Sequence, residues 1–365
     1  MGTIGVITVP ADPQAGARTL AVATAARLDA ALTTYEALFA GAGVRTGEVR
    51  RWADSSRAAL TEWAPDLVEE IEAYADAAGV EAWRLHALNA RTEILAAGAN
   101  ARRGECSTVA HAGGDNLLAA QTWDWHVELT GAFDVVRHES ARLPFATMTE
   151  VGVLGKIGMN AAGVGLLVNI LGHRSDAARP GVPVHALARR VLDTATSLEH
   201  ALAIIGEAPL AASTCFTVVS PQGIACVEAS PAGVARAPQV GDWVVHTNHF
   251  VDDVLSAGDT RVGLEPDSVD RYHLLARCVA RTSGPVRADT LVGLLRAHDV
   301  DGGPVCCHAP QGGPLGSRWA TLATVVLDPV AATMGVAGSR PCDIGVDSWT
   351  TFTFSCGARE RSPDW

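Results

Sequence analysis

Between Pro65 and Gly79 the apolar positions recur with the period of a helix. Leu67, Val68, Ile71, Tyr74 and Ala75 share one face, while Glu69, Glu70 and Glu72 take the other. Pro65 suits a first helical turn and Gly79 a C-terminal stop. A second helical run is predicted over about 81–97, and the alternation from Ile4 to Val9 predicts a strand. The pattern changes near residue 105. Beyond it, short β-prone runs at 106–112, 117–123, 164–170, 214–220, 224–229, 243–247 and 321–327 are separated by turn residues. Pro221-Gln222-Gly223 and Asn160-Ala161-Ala162-Gly163 have the composition of hairpin connections. Amphipathic helices are predicted at 184–194, 197–205, 268–280 and 287–297. Strands in runs, then helices, then strands again indicate an α+β protein rather than a regular βαβ alternation. No internal repeat, low-complexity tract or long linker divides the chain.

Composition narrows the classes. The 365 residues are 48% hydrophobic and 19% charged, which excludes disorder as a description of the whole. A net charge of −12 argues against nucleic acid or an anionic membrane as partner. Lys156 is the only lysine, and the preference for arginine reads as coding bias without functional meaning. Eight cysteines with no C-x-x-C pair suggest reduced, mostly buried thiols rather than a zinc ribbon or a disulfide frame. The N-terminus lacks the basic and long apolar regions of a signal peptide. The longest uncharged apolar stretch, 157–172, is too short and polar for a bilayer span. A cytoplasmic, soluble protein is expected.

Several motifs are missing: H-E-x-x-H, a phosphate loop, G-x-S-x-G and a papain-type cysteine context. The glycine-rich run 155–163 reads as strand–turn–strand, not as a nucleotide cradle. His246-x-x-His249 lacks further ligands nearby in sequence, so no metal and no cofactor are expected. What stands out is Cys106-Ser107-Thr108, at the junction of the helical and strand-rich parts, followed by Gln121-x-Trp123-Asp124-Trp125-His126. A cut just before Cys106 would place a thiol and an α-amine on one residue. That amine, with an ordinary pKa of about 7.7–8.0, then serves as the base for its own thiol. Local context alone leaves this reading level with that of a buried strand cysteine.

A resemblance extends over most of the chain. It is carried by Cys106-Ser107-Thr108, Gln121-x-Trp123-Asp124, and Gly155-Lys156-Ile157-Gly158-x-Asn160-x-Ala162-Gly163-Val164. It continues through Asn169, Gly181-Val182-Pro183, Ala211-Ala212-Ser213, Val245-His246-Thr247-Asn248-His249 and Gly316-Ser317-Arg318-x-Ala320-Thr321-Leu322. In the leader it includes Glu69-Glu70-Ile71 and Leu88-Asn89-Ala90-Arg91-Thr92-Glu93. In these blocks the chain resembles the isopenicillin-N acyltransferase (acyl-CoA:6-aminopenicillanic acid acyltransferase) family of the N-terminal-nucleophile hydrolase superfamily. The first forty or so residues and the 306–314 loop resemble it weakly.

The resemblance implies a four-layer αββα sandwich and self-cleavage between Glu105 and Cys106. An α chain, residues 1–105, and a β chain, residues 106–365, would stay associated in one globular domain. Cys106 would be the nucleophile and Asp124 the acid that orients its α-amine. Asn248 would supply the oxyanion-hole amide, with Asn169 near the oxyanion. Arg318, beside Ser317, would stabilise Asp124 or grip a substrate carboxylate. Ser213 falls at a processing or substrate-binding position, Thr108 and Ser317 at substrate-binding positions, and Trp125 and Phe250 suit either an aromatic pocket wall or the core. The chemistry implied is a thioester acyl-enzyme formed from a small amide or acyl donor, acyl-CoA included, and passed to water or an amine. Two departures stand out: Glu105 stands where the fungal penicillin enzyme has glycine, and Gln121 stands where bile-salt hydrolases carry arginine, which argues against that branch. Two other readings compete: an uncut ligand-binding protein, and an uncut thiol hydrolase with His111 or His126 as base.

Overall fold

The computed structural model of the chain describes residues 4–98, 106–113, 116–139, 143–265 and 267–354. Strand β1 (Gly5–Val9) leads into five helices: α1 (Pro13–Gly41), α2 (Thr46–Trp63), α3 (Pro65–Ala78), α4 (Ala82–Asn89) and α5 (Arg91–Ala96). Asp12 caps α1 by accepting from the Ala15 backbone N–H at 2.7 Å. The predicted face of α3, from Leu67 to Ala75, is buried, and Gly79 ends the helix in the left-handed conformation at φ 68°. The run predicted over 81–97 is two helices. It breaks at Ala90, because Asn89 turns to accept from the Leu154 backbone and donate to Gly152 O.

Two sheets follow. The larger has the order β1, β4 (Phe133–His138), β5 (Phe145–Glu150), β6 (Ile157–Asn160), β7 (Gly165–Ile170), β8 (Thr214–Ser220), β9 (Gly223–Ser230) and β10 (Gly233–Arg236). The smaller runs β11 (Trp243–His246), β2 (Cys106–Gly113), β3 (Asn116–His126), β12 (Trp319–Asp328), β13 (Thr333–Ala337) and β14 (Thr350–Thr353). Both predicted connections are present: β8 and β9 turn at Pro221-Gln222, and β6 and β7 turn through Gly163 at φ 76°.

The sheets stack face to face with helices outside. Leu187, Val191 and Ile205 of α6 (Val184–Thr194) and α7 (Leu198–Glu207) cover Leu166, Val168 and Phe216 of the larger sheet. Leu275, Val279 and Leu291 of α8 (Asp267–Arg281) and α9 (Ala288–Leu294) cover Val109, Ala120 and Val326 of the smaller one. Between the sheets, Ala110, Ala119, Trp123 and Val325 meet Ala146, Met148 and Leu167. Strand alternation sends Val109 outward and Ala110 inward, so one strand serves two cores. With both faces covered, these strands read as unbroken apolar runs in sequence. The layers are the αββα sandwich that the family resemblance implied.

The N-terminal helices do not form a separate core. Leu28, Leu32, Phe39, Leu85 and Leu88 belong to the same hydrophobic cluster as the inter-sheet residues, and β1 pairs in parallel with β4. The change of pattern near residue 105 is therefore not a boundary between cores.

Candidate active site

Cys106 opens β2 and is buried. Its backbone is held from three directions. The Cys106 N–H donates to Asn248 Oδ1 at 2.8 Å. Its carbonyl accepts from Asn169 Nδ2 at 3.1 Å and from the Arg271 guanidinium at 3.0 Å. Asn169 comes from β7 across the sandwich, Asn248 from the segment after β11, and Arg271 from α8 on the outer face.

Each clamp is itself braced. Asn169 Oδ1 accepts from Thr108 Oγ1 at 2.7 Å and from Gln121 Nε2 at 3.1 Å. The Asn248 N–H donates to Ser268 Oγ at 2.8 Å and Asn248 Nδ2 to Ile170 O at 2.9 Å. Arg271 also donates to Ser107 Oγ and Asn248 Oδ1, and its Nε reaches Asp267 at 3.2 Å. The segment bearing Asn248 is held by the buried Glu228 carboxylate. That carboxylate accepts from the Val251 and Asp252 backbones and pairs with His246 Nε2 at 2.8 Å. Burial opposes a charge on His246, but Cys226 and Glu228 outweigh it and hold the imidazole up at about 9. The two histidines of the His246-x-x-His249 pattern are divided between partners: His246 takes Glu228, and His249 takes Ser268 at 2.9 Å.

Asp124 is fully buried, and its Oδ1 accepts from Thr321 Oγ1 at 2.6 Å across the β3–β12 pair. Burial, with Asp124 adding to it, pushes the Cys106 thiol up to about 12, against the pull of Lys156 and Arg271. In the uncut chain at neutral pH residue 106 therefore carries a thiol, not a thiolate.

Below the thiol lies a buried polar cluster. Lys156 donates to Glu150 at 3.0 Å, and its Nζ sits 4.0 Å from the centre of the Trp123 ring. Arg91 and Tyr35 both donate to Glu150 as well, and Trp125 Nε1 donates to the Tyr35 hydroxyl at 2.8 Å. Burial opposes the Glu150 charge, yet Arg91 and Lys156 hold it well below the usual carboxylate range. Burial brings Lys156 down to about 8.

The structure thus joins Cys106, Asn169, Asn248 and Thr108 in one hydrogen-bonded network, with Asp124 beside it and Trp125 below. Four other expected residues lie elsewhere. Arg318 does not reach Asp124. Its guanidinium donates to Glu128 at 2.8 Å and 3.0 Å, while Asp124 takes Thr321. Ser317 Oγ closes a turn on Pro314 O at 2.8 Å. Ser213 Oγ donates to Asp176 at 2.6 Å. The Phe250 ring packs edge-on against His173, 5.7 Å between centres. The His111 ring packs tilted against Trp243 and the His126 ring tilted against Trp319. Among the described residues neither histidine hydrogen-bonds Cys106, and burial lowers His126 to about 4. Glu105 lies outside the described residues.

Arg271, Lys156, Glu150 and Thr321 were not singled out as site residues from the sequence. Arg271 had a signal: it falls in register with the buried Leu274, Leu275 and Val279 on the apolar stripe of α8, where a charge needs a partner. Lys156 had another, as the only lysine and directly before an uncharged apolar run.

Two face-to-face sheets under outer helices form an αββα sandwich, with a thiol, a carboxylate and two amides gathered at the head of one strand. The chain belongs to the acyl-coenzyme A:6-aminopenicillanic acid acyl-transferase family, whose model matches residues 111–341. It is 30% identical over 284 residues to the acyl-coenzyme A:6-aminopenicillanic-acid-acyltransferase 40 kDa form of Emericella nidulans, covering 76% of each chain. Among solved structures it is similar to a Caenorhabditis elegans N-acylethanolamine-hydrolyzing acid amidase ortholog, with 13% identity, TM-score 0.44, and coverage of 68% of this chain and 99% of that one. It is also similar to the conjugated bile acid hydrolase of Clostridium perfringens, with 11% identity, TM-score 0.45, and coverage of 69% and 97%. No helix among the described residues is long and apolar enough to cross a membrane.

Proposed function

We propose that this protein is a self-cleaving acyltransferase or amidohydrolase whose nucleophile is Cys106. The observation that carries the reading is the double clamp on residue 106, with Asn248 Oδ1 on its nitrogen and Asn169 and Arg271 on its carbonyl. β11 pairs with β2 only from Thr108 onward, so at residue 106 side chains from three separate elements, rather than a neighbouring strand, take these backbone groups.

In the precursor the Cys106 thiol attacks the Glu105 carbonyl carbon and loses its proton. The C–N bond breaks as the amide shifts to a thioester, and the nitrogen takes the proton up. Water then cleaves the thioester, leaving Cys106 with a free α-amine. Asn248 Oδ1, already an acceptor for that nitrogen, orients the amine so that its lone pair takes the thiol proton. Asp124 supplies the negative charge that balances the amine once protonated. The thiolate attacks the carbonyl of a small amide or acyl donor, acyl-CoA among the candidates, as the name of the Emericella nidulans relative suggests. Asn248 Nδ2 spends one N–H on Ile170 O, and its second N–H is the donor for the developing oxyanion. The acyl group then passes to water or to an amine.

The test is intact mass. The purified protein is expected as two species, residues 1–105 and 106–365, and Cys106→Ala as one uncut chain. A wild-type chain that stays whole while hydrolysing acyl amides, and loses that activity on His126→Ala, would replace this reading with the uncut thiol hydrolase. An amine acceptor added to an acyl-amide panel separates transfer from hydrolysis.

A further inference from the structure

Outside this site, four side chains from three separate segments converge near the start of β12, where Cys307 is hydrogen-bonded to Thr321. His298 lies just before the short turn 299–301 that follows α9. Cys306 and His308 lie in the next loop, and Cys342 lies in the turn 341–343 that follows β13. One ligating atom from each falls within 4.8 Å of all the others.

The separations are those of a coordination polyhedron. A tetrahedral zinc ion, with Zn–S about 2.3 Å and Zn–N about 2.0–2.1 Å, sets edges of about 3.8 Å between sulfurs. Its other edges are about 3.3 Å between nitrogens and about 3.6 Å between sulfur and nitrogen. Cys306 Sγ and Cys342 Sγ are 3.5 Å apart, and His298 Nε2 and His308 Nε2 are 3.2 Å apart. His308 Nε2 lies 3.6 Å from Cys306 Sγ and 3.4 Å from Cys342 Sγ. Each of these edges lies within a few tenths of an ångström of the zinc value. Hydrogen bonding alone does not require four such groups to meet at one point.

We propose that His298, Cys306, His308 and Cys342 form a zinc(II) site, in addition to the acyl-transfer site. Two thiolates and two imidazoles select zinc among the common divalent ions, and four protein ligands leave no open position, so the role is structural. Binding releases the two thiol protons, and Zn²⁺ with two thiolates is then neutral overall. With Nε2 of His308 on the metal, its Nδ1 keeps the ring proton. The Arg340 guanidinium, now 2.9 Å from that nitrogen, would withdraw onto Asp343, which it already holds at 2.7 Å. The site would staple the 298–308 loop to the 341–343 turn. Its influence would reach Asp124 along the chain, because the neighbouring Cys307 N–H donates to Thr321 Oγ1 at 3.0 Å and Thr321 donates to Asp124.

A zinc site departs from the sequence reading, in which no metal was expected. The spacing of eight, two and thirty-four residues between ligands matches no common zinc motif, so the cluster exists only in three dimensions.

The full-length protein, purified under thiol reductant, loaded with Zn(II) and passed over a desalting column, should retain about one zinc per chain by elemental analysis. Cys342→Ser and His308→Ala change exposed side chains and should lower that to near zero with unaltered far-UV circular dichroism. Cys278→Ser, outside the cluster, should keep it. Co(II) in the wild-type protein should give the intense visible bands of a tetrahedral site with sulfur-to-metal charge transfer, a readout that needs no variant. Absence of zinc after loading, zinc retained in both ligand variants, or octahedral Co(II) bands would each overturn the proposal. So would a Cys306–Cys342 disulfide found by peptide mapping of protein kept under reductant.

Discussion

At the scale of single residues the site is a problem of charge in a dry place. The Cys106 thiol is pushed up to about 12, and Lys156 is among the cations that counter this. Lys156→Gln removes that charge while Arg91 and Tyr35 still satisfy Glu150. Alkylation of Cys106 by iodoacetamide at pH 7, where Lys156 with its pKa of about 8 is mostly charged, should slow about tenfold, the equivalent of one pKa unit in thiolate population. An unchanged rate would show that the lysine acts on packing alone. Arg271 serves two acceptors on residues 106 and 107 and a third on Asn248, a fork that an ammonium does not reproduce. Arg271→Lys is therefore expected to slow appearance of the two fragments at least tenfold, followed by intact mass over time. Cleavage at the wild-type rate would remove Arg271 from the clamp. Cys106, Asp124, Asn169 and Asn248 were legible only through the family resemblance, and the structure gathers them in one place. Arg271 was not, since its partners are 164 and 165 residues away in the chain. Arg318 does not hold Asp124, and the sequence hid this for the same reason: its partner Glu128, just past the end of β3, is 190 residues away in the chain.

At the scale of elements, the stretch after β11 depends on the buried His246–Glu228 pair. The folded imidazole is held near 9, above its usual value of about 6.5. Its contribution to stability is therefore complete below pH 6.5 and disappears as pH rises through 9. The melting temperature should fall between pH 7 and pH 9, and His246→Gln should flatten that slope while lowering stability at pH 6. Equal slopes in the two proteins would mean that the pair is not ionised. Elements with strong period or clear punctuation, such as α3, α6 and the β8–β9 hairpin, were legible from the chain. Helix α1 was not predicted: it is alanine-rich, so its buried face of Ala17, Ala21, Leu28, Leu32, Tyr35 and Phe39 contrasts little with the other side. Strands β4, β5 and β13 also went unpredicted, being short and mixed in composition, with their type set by neighbours in the sheet.

At the scale of the whole molecule, the leader and the strand-rich part share one core. The first 98 residues supply an edge strand to the larger sheet and helices to the central hydrophobic cluster. The two fragments of a cut chain should co-purify through high salt and melt in one transition, because apolar burial rather than exposed charge joins them. Leu88→Ala, at a fully buried position, is expected to cost about 2–5 kcal/mol and to lower that single transition, read by calorimetry. Two separate transitions, with only the first displaced, would show independent folding units.

The sequence by itself determined the periodic elements, the α+β class and the change from helical to strand-rich pattern near residue 105. These are local properties, carried by repeats of two and 3.6 residues or by runs of a few side chains. Only the tertiary structure decided that Asn169, Asn248 and Arg271 close on one backbone unit, that Arg318 turns to Glu128, and that Lys156 lies buried beneath the thiol. It alone brought His298, Cys306, His308 and Cys342 to a point. The reason is physical: burial and pairing of polar groups depend on which distant segments the two sheets press together, and no local pattern records that choice.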